Sequence, residues 1–300
     1  MSAFIRVDVT PDTPAWAEER RLSVGASEAG GLIAESHFGK TPLSIYLNKI
    51  GRSRERFDPI KSYITHAAEP IMEEVFSRKH SDIGVIEPGF MARSTTTPEL
   101  HATFDRIIVE PSGERFPLQF KTAHPYTRYD WEDGPLPDYL AQEDVECYVL
   151  GAPYAYLFTW FWGSNPEDFV LYKLPARKER QQELTRRAEW LMRCVENRTP
   201  PVASLGDDIA ALYPAVGGKV VRADADTLET VQALRETAAI RRSAVAEWAA
   251  VEDDMKLAIE LFMGDATELV NPHTNNLIHT WRVNKNGERR HFSPKTEDFA

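Results

Sequence analysis

The feature that most constrains this chain is the order of its apolar runs between Ile83 and Leu174. Strand-length stretches at residues 83–91, 100–109 and 116–122 come first. A helical stretch follows, which Asp138 can cap and which runs to about Leu150, and then strand-like stretches at 154–162 and 169–174. Runs rich in β-branched and aromatic residues, separated by turn residues, form strands, and Glu110-Pro111-Ser112-Gly113 predicts an antiparallel reversal between the second and third. A helix inserted among strands predicts an α/β core, a central mixed sheet flanked by helices.

Helices are expected on both sides of this region. Upstream, Gly25, Ala26 and Ser27 predict a helix opened by a Ser27 N-cap, a place where a phosphate can be held. Asp58-Pro59 opens a second helix in which Ile60, Ile64, Ala68, Ile71 and Val75 recur at helical spacing through Pro70, so Glu69 is expected at a kink. Downstream, a charged amphipathic helix is predicted over 176–197, and Pro200-Pro201 marks a boundary, giving a core of 1–203 and an extension of 204–300. In the extension, Leu228, Val231, Leu234, Trp248, Val251, Met255 and Ile259 predict a long helix or helix pair. Residues 277–283, Asn286-Gly287 and 289–292 predict a β-hairpin.

Composition excludes several classes. The longest apolar stretch, 154–162, is far short of the ~20 residues a bilayer requires, and the first thirty residues hold no apolar run with a cleavage site. A cytoplasmic location away from membranes is the expectation. Cys147 and Cys194 lack zinc-site spacing and disulfide density and read as plain buried thiols; the eight histidines are scattered. Any metal is therefore expected on oxygen ligands, which favours magnesium over zinc. The formal net charge of −11 opposes broad adhesion to nucleic acid, but a cleft can be locally basic while the exterior is acidic.

One constellation carries chemistry. Asp105 is expected in one strand of the hairpin, and Gln119 and Lys121, two apart in the next, point to the same face. Glu69 adds an oxygen from the preceding helix. Phosphodiester hydrolysis requires a dication on oxygen ligands, and a lysine alongside can position and help deprotonate the attacking water while offsetting transition-state charge. On this reading Glu69, Asp105, Gln119 and Lys121 are the catalytic set. Metal ligation falls to Asp105, Gln119, the Phe120 backbone carbonyl and Glu69, directly or through water.

The same residues resemble the PD-(D/E)xK nucleases, and their surroundings are similar to the YqaJ-type phage recombination exonucleases, the family of phage lambda exonuclease. The resemblance rests on Trp16-Ala-Glu-Glu-Arg20, Val24-Gly-Ala-Ser27-Glu28, Glu69-Pro70, His101-Ala-Thr-Phe-Asp105, Leu118-Gln-Phe-Lys121-Thr122 and Pro137-Asp-Tyr139-Leu-Ala-Gln142. Met263-Gly-Asp-Ala266 and Thr280-Trp281-Arg282 are similar to the C-terminal extension of many phage members. The resemblance implies a restriction-endonuclease-like core. It also implies that Arg20 and Ser27 hold the 5′-phosphate of a DNA end and that Gln142 lies beside the active site. Further implications are Mg²⁺, with Mn²⁺ able to substitute, a ring-shaped homotrimer threading duplex DNA, and a single-strand annealing partner. Two departures stand out: Arg106 follows Asp105 where a glycine is usual, and Gln119 stands where Glu is expected, removing one negative charge. Either the chain is a natural variant or one substitution has disabled it.

The leading expectation is a 5′-to-3′ exonuclease that exposes single strand for phage-type recombination. The alternatives are a catalytically silent DNA-end-binding or assembly protein and a structure-specific endonuclease on the same fold. His66, one turn before Glu69, reads as a neighbouring imidazole more readily than a ligand. The alternation Tyr154, Tyr156, Phe158, Trp160, Trp162 reads as a strand face packed into the core, and Arg282, Lys285, Arg289 and Arg290 as phosphate contacts or a solvated hairpin with equal weight.

Overall fold

The computed structural model describes residues 4–10, 13–52, 59–163, 165, 167–204, 206–213, 215–286 and 289–292. The chain divides into two units, Met1–Val216 and Gly217–Ala300. The first unit runs β1 (Phe4–Val7), α1 (Pro14–Arg21), β2 (Val24–Gly25), α2 (Ala29–Leu32), α3 (Pro42–Lys49), α4 (Pro59–Lys79), β3 (Gly84–Ile86), β4 (Met91–Ser94) and β5 (Leu100–Thr103). It continues through β6 (Arg106–Val109), β7 (Arg115–Ala123), α5 (Pro137–Leu150), β8 (Tyr154–Phe161), β9 (Phe169–Pro175), α6 (Lys178–Glu196) and α7 (Gly206–Leu212). Asp58, read as the opening of α4, lies outside the described residues; the helix runs on through Pro70.

The strands form two sheets, of order β3-β6-β7-β8-β9 and β1-β4-β5-β2. In the larger sheet β7 and β8 are parallel and the other pairs antiparallel, which makes the predicted mixed sheet. The hairpin of β6 and β7 is present, with Arg106 opposite Leu118 and Val109 opposite Arg115. Two runs read as single strands are each divided between the sheets. The first breaks before β4, where Gly89 takes a φ of 61°. The second breaks at Phe104-Asp105, so Asp105 occupies a bend between β5 and β6 and not a strand position.

Alternation along β7 sends its side chains to two different helices. Phe116, Leu118 and Phe120 pack with Phe158, Met72 and Phe76 beneath α4. Phe76 is fully buried, and its truncation to alanine should cost about 3–5 kcal/mol. Gln119 and Lys121 alternate to the face where α5 packs, and α5 also lies against β4 and β5 of the second sheet. A helix held between two sheets buries most of its circumference, and Gln142, Glu143, Asp144 and Glu146 are buried with the apolar Ala141 and Val145.

Local chemistry sets the ends of α5. It stops at Gly151, whose left-handed backbone (φ 79°) suits glycine. Leu136, not Asp138, is the N-cap residue; the Asp138 carboxylate instead accepts from Ser36 Oγ and His37 N, both at 2.6 Å, tying α5 to the loop after α2. Ser27 is likewise not an N-cap. It lies inside a 3-10 turn, Ala26–Glu28, where Gly25 N–H donates to Glu28 Oε2 at 2.7 Å.

Tyr156 and Phe158 of the aromatic alternation are buried, with Tyr154 and Trp160 packed on the same cluster; Trp162 lies beyond β8 and is 47% exposed. Cys147 is buried, whereas Cys194 is only half-buried. The predicted amphipathic helix appears as α6, with Leu184, Ala188 and Leu191 inward. Arg52 donates to the carbonyls of Ala211 and Leu212 at 3.0 and 3.1 Å, and Ala211 joins the main core, so the first unit continues beyond residue 203 through α7. Among the described residues no helix is long and apolar enough to cross a membrane.

The second unit holds α8 (Ala225–Met263), β10 (Glu268–Val270), β11 (Leu277–Val283) and β12 (Arg289–Phe292), with sheet order β10-β11-β12. α8 is one helix of 39 residues, capped by Asp224 through the Thr227 amide at 2.8 Å. The hairpin of β11 and β12 is present, while Gly287 of its predicted turn lies outside the described residues. Arg289 stacks on Trp281 at 3.6 Å and donates to Gly264 and Ala266 carbonyls, and Arg282 pairs with Glu268. These two arginines are engaged within the unit.

Candidate active site

The Asp105 carboxylate is fixed through the neighbouring strand: its Oδ2 accepts the Phe120 amide at 2.8 Å. Two residues apart on that strand, Lys121 Nζ donates to Gln119 Oε1 at 3.3 Å, and Gln119 Nε2 donates to the Thr103 carbonyl at 3.4 Å. Asp105, Phe120 and Lys121 line a cavity of about 960 Å³ together with Glu69 of α4. The helical acid, the acid of the bend and the β7 lysine are thus brought together as expected. Gln119 is buried and lies just beneath the wall.

Electrostatics around this wall are strongly shifted. Burial raises the Glu69 carboxyl, Asp105 raises it further, and His66, Arg106 and Lys121 only partly oppose them, leaving it at about 7. Burial would lower Lys121, but Asp105, Tyr139, Glu146 and Glu143 outweigh it and hold the ammonium's proton more tightly than usual. A lysine so placed donates charge and hydrogen bonds. Arg106, the cation that replaces the usual glycine, is buried and bound by Glu73 at 2.6 Å, Glu69 at 3.7 Å and its neighbour's carbonyl, Asp105 O, at 2.5 Å. Its charge is spent on α4 and on the bend.

Arg20 and Ser27 also meet. Arg20 Nη2 donates to Ser27 Oγ at 3.2 Å, with the guanidinium stacked on Trp16 at 4.5 Å. Lys40, which lines the cavity, reaches the Ser27 carbonyl at 3.4 Å and so links this pair to the cavity wall. Beneath them the buried pair Lys49–Glu28 closes at 2.6 Å; burial would raise Glu28, but Lys49 and Arg20 hold it below the usual carboxylate range. Gly25 is required here, because a Cβ would stand 2.8 Å from His101 Nε2 and 3.4 Å from Arg20 Nη2. The result is a paired hydroxyl and guanidinium at the exposed Ser27, a geometry suited to a phosphate.

Gln142 lies beside the site, but behind its wall. It is buried, and its Nε2 donates to Glu146 Oε1 at 2.8 Å, so it lies under the site and not in the cavity wall. Several participants escaped sequence reasoning. Glu143 and Glu146 are buried beside Lys121, Tyr139 lies 5.3 Å from the Lys121 ammonium, and Trp162 stands in the cavity wall against His124. A signal for the acids existed: Glu143 and Glu146 are a turn apart on a helix flanked by strands, where apolar residues are the rule.

The expected ligands, Asp105, Gln119, the Phe120 carbonyl and Glu69, are all oxygens, which suits a hard dication better than zinc. Among the described residues no group of three or more His, Cys, Asp or Glu side chains is gathered to hold a metal by itself. Neutral oxygens, the Gln119 amide and the Phe120 carbonyl, would have to complete the shell. The fit is supported by the surplus of buried carboxylate around one lysine, including Glu143 and Glu146 oxygens that meet no donor.

Comparison with known proteins places this geometry in a family context. Residues 15–152 match the model of the YqaJ-like viral recombinase domain. Over 149 residues the chain is 29% identical to the uncharacterized protein YqaJ of Bacillus subtilis strain 168, covering 46% of this chain and 43% of that protein, so it spans less than half of that relative's length. Two solved structures share the fold. LHK-Exo in complex with dAMP aligns with a TM-score of 0.52 at 14% identity, over 62% of this chain and 94% of that one. The alkaline exonuclease LHK-Exo from Laribacter hongkongensis aligns with a TM-score of 0.51 at 14% identity, over the same shares.

Proposed function

We propose, on the premise that residues 15–152 are a YqaJ-like viral recombinase domain, that the chain is a magnesium-dependent exonuclease. It degrades one strand of duplex DNA from an end in the 5′-to-3′ direction and leaves single strand for recombination. The observation that carries this reading is the convergence of Asp105, Lys121 and Glu69 on one cavity wall, with Gln119 directly behind it. The fold shared with an alkaline exonuclease supports it.

Each residue then has a task. Asp105, Gln119, the Phe120 carbonyl and Glu69, directly or through water, would hold Mg²⁺, or Mn²⁺ in its place. When bound, the cation would polarise the scissile phosphate and make water a better nucleophile. Lys121 hydrogen-bonds that water and offsets the charge that develops on phosphorus oxygens. Arg20 and Ser27 grip the terminal 5′-phosphate, and Lys40 bridges grip and wall. Trp162, exposed at the cavity, offers a ring for a base. A homotrimeric ring in the cytoplasm, handing its product to an annealing protein, would reconcile the −11 net charge with a basic DNA channel.

A linear duplex labelled at one 5′-phosphate tests the reading. Mononucleotide release with Mg²⁺ and none with EDTA supports it, while cleavage of a covalently closed circle would make the chain an endonuclease. The second reading, a silent DNA-end-binding protein, is favoured by the neutral Gln119; it predicts retention of phosphorylated ends with no product in any divalent cation.

A further inference from the structure

Acidic groups outnumber the cations around Lys121. Arg106 is taken by Glu73 and Glu69, and Asp144 by Arg177 at 2.6 Å. The Lys121 ammonium is left facing Asp105, Glu146 and Glu143. Glu146 is 0% exposed, and its Oε2 meets no donor; both oxygens of Glu143 meet none either. A buried carboxylate without partners is costly, and a glutamine or an apolar side chain would fill the same space without that penalty. The two acids are placed to serve a further cation.

The two acids are not equivalent. Glu143 opens onto a small separate cavity bordered by Cys147, Leu174 and Arg177. Glu146 points to the catalytic strand: its Oε1 accepts from Gln142 Nε2 at 2.8 Å, and the Gln119 amide lies alongside. Acceptors therefore flank Gln119 on one side, the Glu146 carboxylate and the Thr103 carbonyl, and the Lys121 ammonium lies on the other. An amide between two acceptors and an ammonium has one favourable orientation, nitrogen toward the acceptors and oxygen toward the ammonium.

We propose that Glu146 is a positioning residue of the cation site, supplying from α5, once the cation binds, the negative charge that β7 lacks at Gln119 and turning the Gln119 amide oxygen toward the cation. This rests on the metal-dependent reading given above. The carboxylate and the amide have in effect exchanged places, strand for helix, so a neutral glutamine on the strand is compatible with a working site. Outer partners that orient ligands and set local charge typically change metal affinity by about 10–100-fold when removed.

The test is Mn²⁺ affinity, read from the paramagnetic resonance signal of free Mn²⁺ and measured alongside cleavage of a 5′-phosphorylated duplex. It compares the full chain, Glu146→Gln, and the exchange variant Gln119→Glu/Glu146→Gln. Glu146→Gln should bind Mn²⁺ at least about tenfold more weakly, and the exchange variant should return to within about threefold of the parent chain. Unchanged affinity in Glu146→Gln, or no recovery in the exchange variant, overturns the role of Glu146 while leaving the nuclease reading in place. Loss of folding in both variants makes Glu146 a structural residue and overturns it too. If the parent chain neither binds Mn²⁺ nor cleaves, the metal-dependent reading falls and the role of Glu146 with it.

Discussion

The Asp105 carboxylate and the Phe120 backbone amide are joined by a hydrogen bond of 2.8 Å, and that bond sets the wall of the candidate site. It ties the bend where the chain leaves one sheet to the strand that bears Gln119 and Lys121. The acid is thereby held without a place in either ladder.

Asp105→Asn keeps an acceptor for Phe120 and removes the charge. Stability should change by no more than about 1 kcal/mol, while cleavage should fall by at least about 100-fold. Thermal melting and single-turnover assays on the same preparation separate the two effects.

Lys121→Met should divide binding from chemistry. Removing the ammonium leaves Asp105 and Glu146 without their shared cation, so divalent affinity should rise or hold. Cleavage, deprived of the group that offsets transition-state charge, should drop by about 10²–10⁴-fold. Mn²⁺ titration together with turnover shows whether the two move in opposite directions.

The raised carboxyls give the folded chain a pH dependence of definite sign. Glu69 titrates at about 7 and Glu146 at about 8 in the fold, both against a reference of 4.5 for an exposed Glu. Burial is the main cause in each. Between the reference value and those raised values the native state keeps protons that the unfolded chain has released, so unfolding free energy falls as pH rises through that window. Below it the penalty is absent, and above it the penalty is complete. Urea midpoints in EDTA should therefore decline from about pH 5 to about pH 8.5, and Mg²⁺ should restore stability at the alkaline end.

Arg20→Ala should discriminate between DNA ends. Loss of the guanidinium beside Ser27 removes a charge-assisted bond to a terminal phosphate, worth about 1.5–3 kcal/mol. Affinity for 5′-phosphorylated ends should fall about 10–100-fold, with little change for 5′-hydroxyl ends. Equal losses for both would place Arg20 outside the phosphate contact.

Much of this arrangement was legible in the sequence. Period-two alternation in β7 assigned Gln119 and Lys121 to one face, the turn after Glu110 announced the hairpin, and Asn286 marked the second one. The chain's passages between sheets were not legible, because residues 83–91 and 100–109 keep strand character on both sides of their breaks. Asp138 and Ser27 carried capping signatures, but tertiary partners took them: Ser36 and His37 for the one, Arg20 for the other. Gln142 and Glu146 could not be assigned from spacing, since only packing between the two sheets turns an ordinary polar face of α5 into a buried one.

The most direct measurement is a crystal of the chain soaked in Mn²⁺, with anomalous difference density located on the structure. The account predicts a peak within about 2.0–2.4 Å of an Asp105 carboxylate oxygen and close to the Gln119 amide oxygen. An ordered, Mn²⁺-saturated crystal with no peak at Asp105 would contradict it.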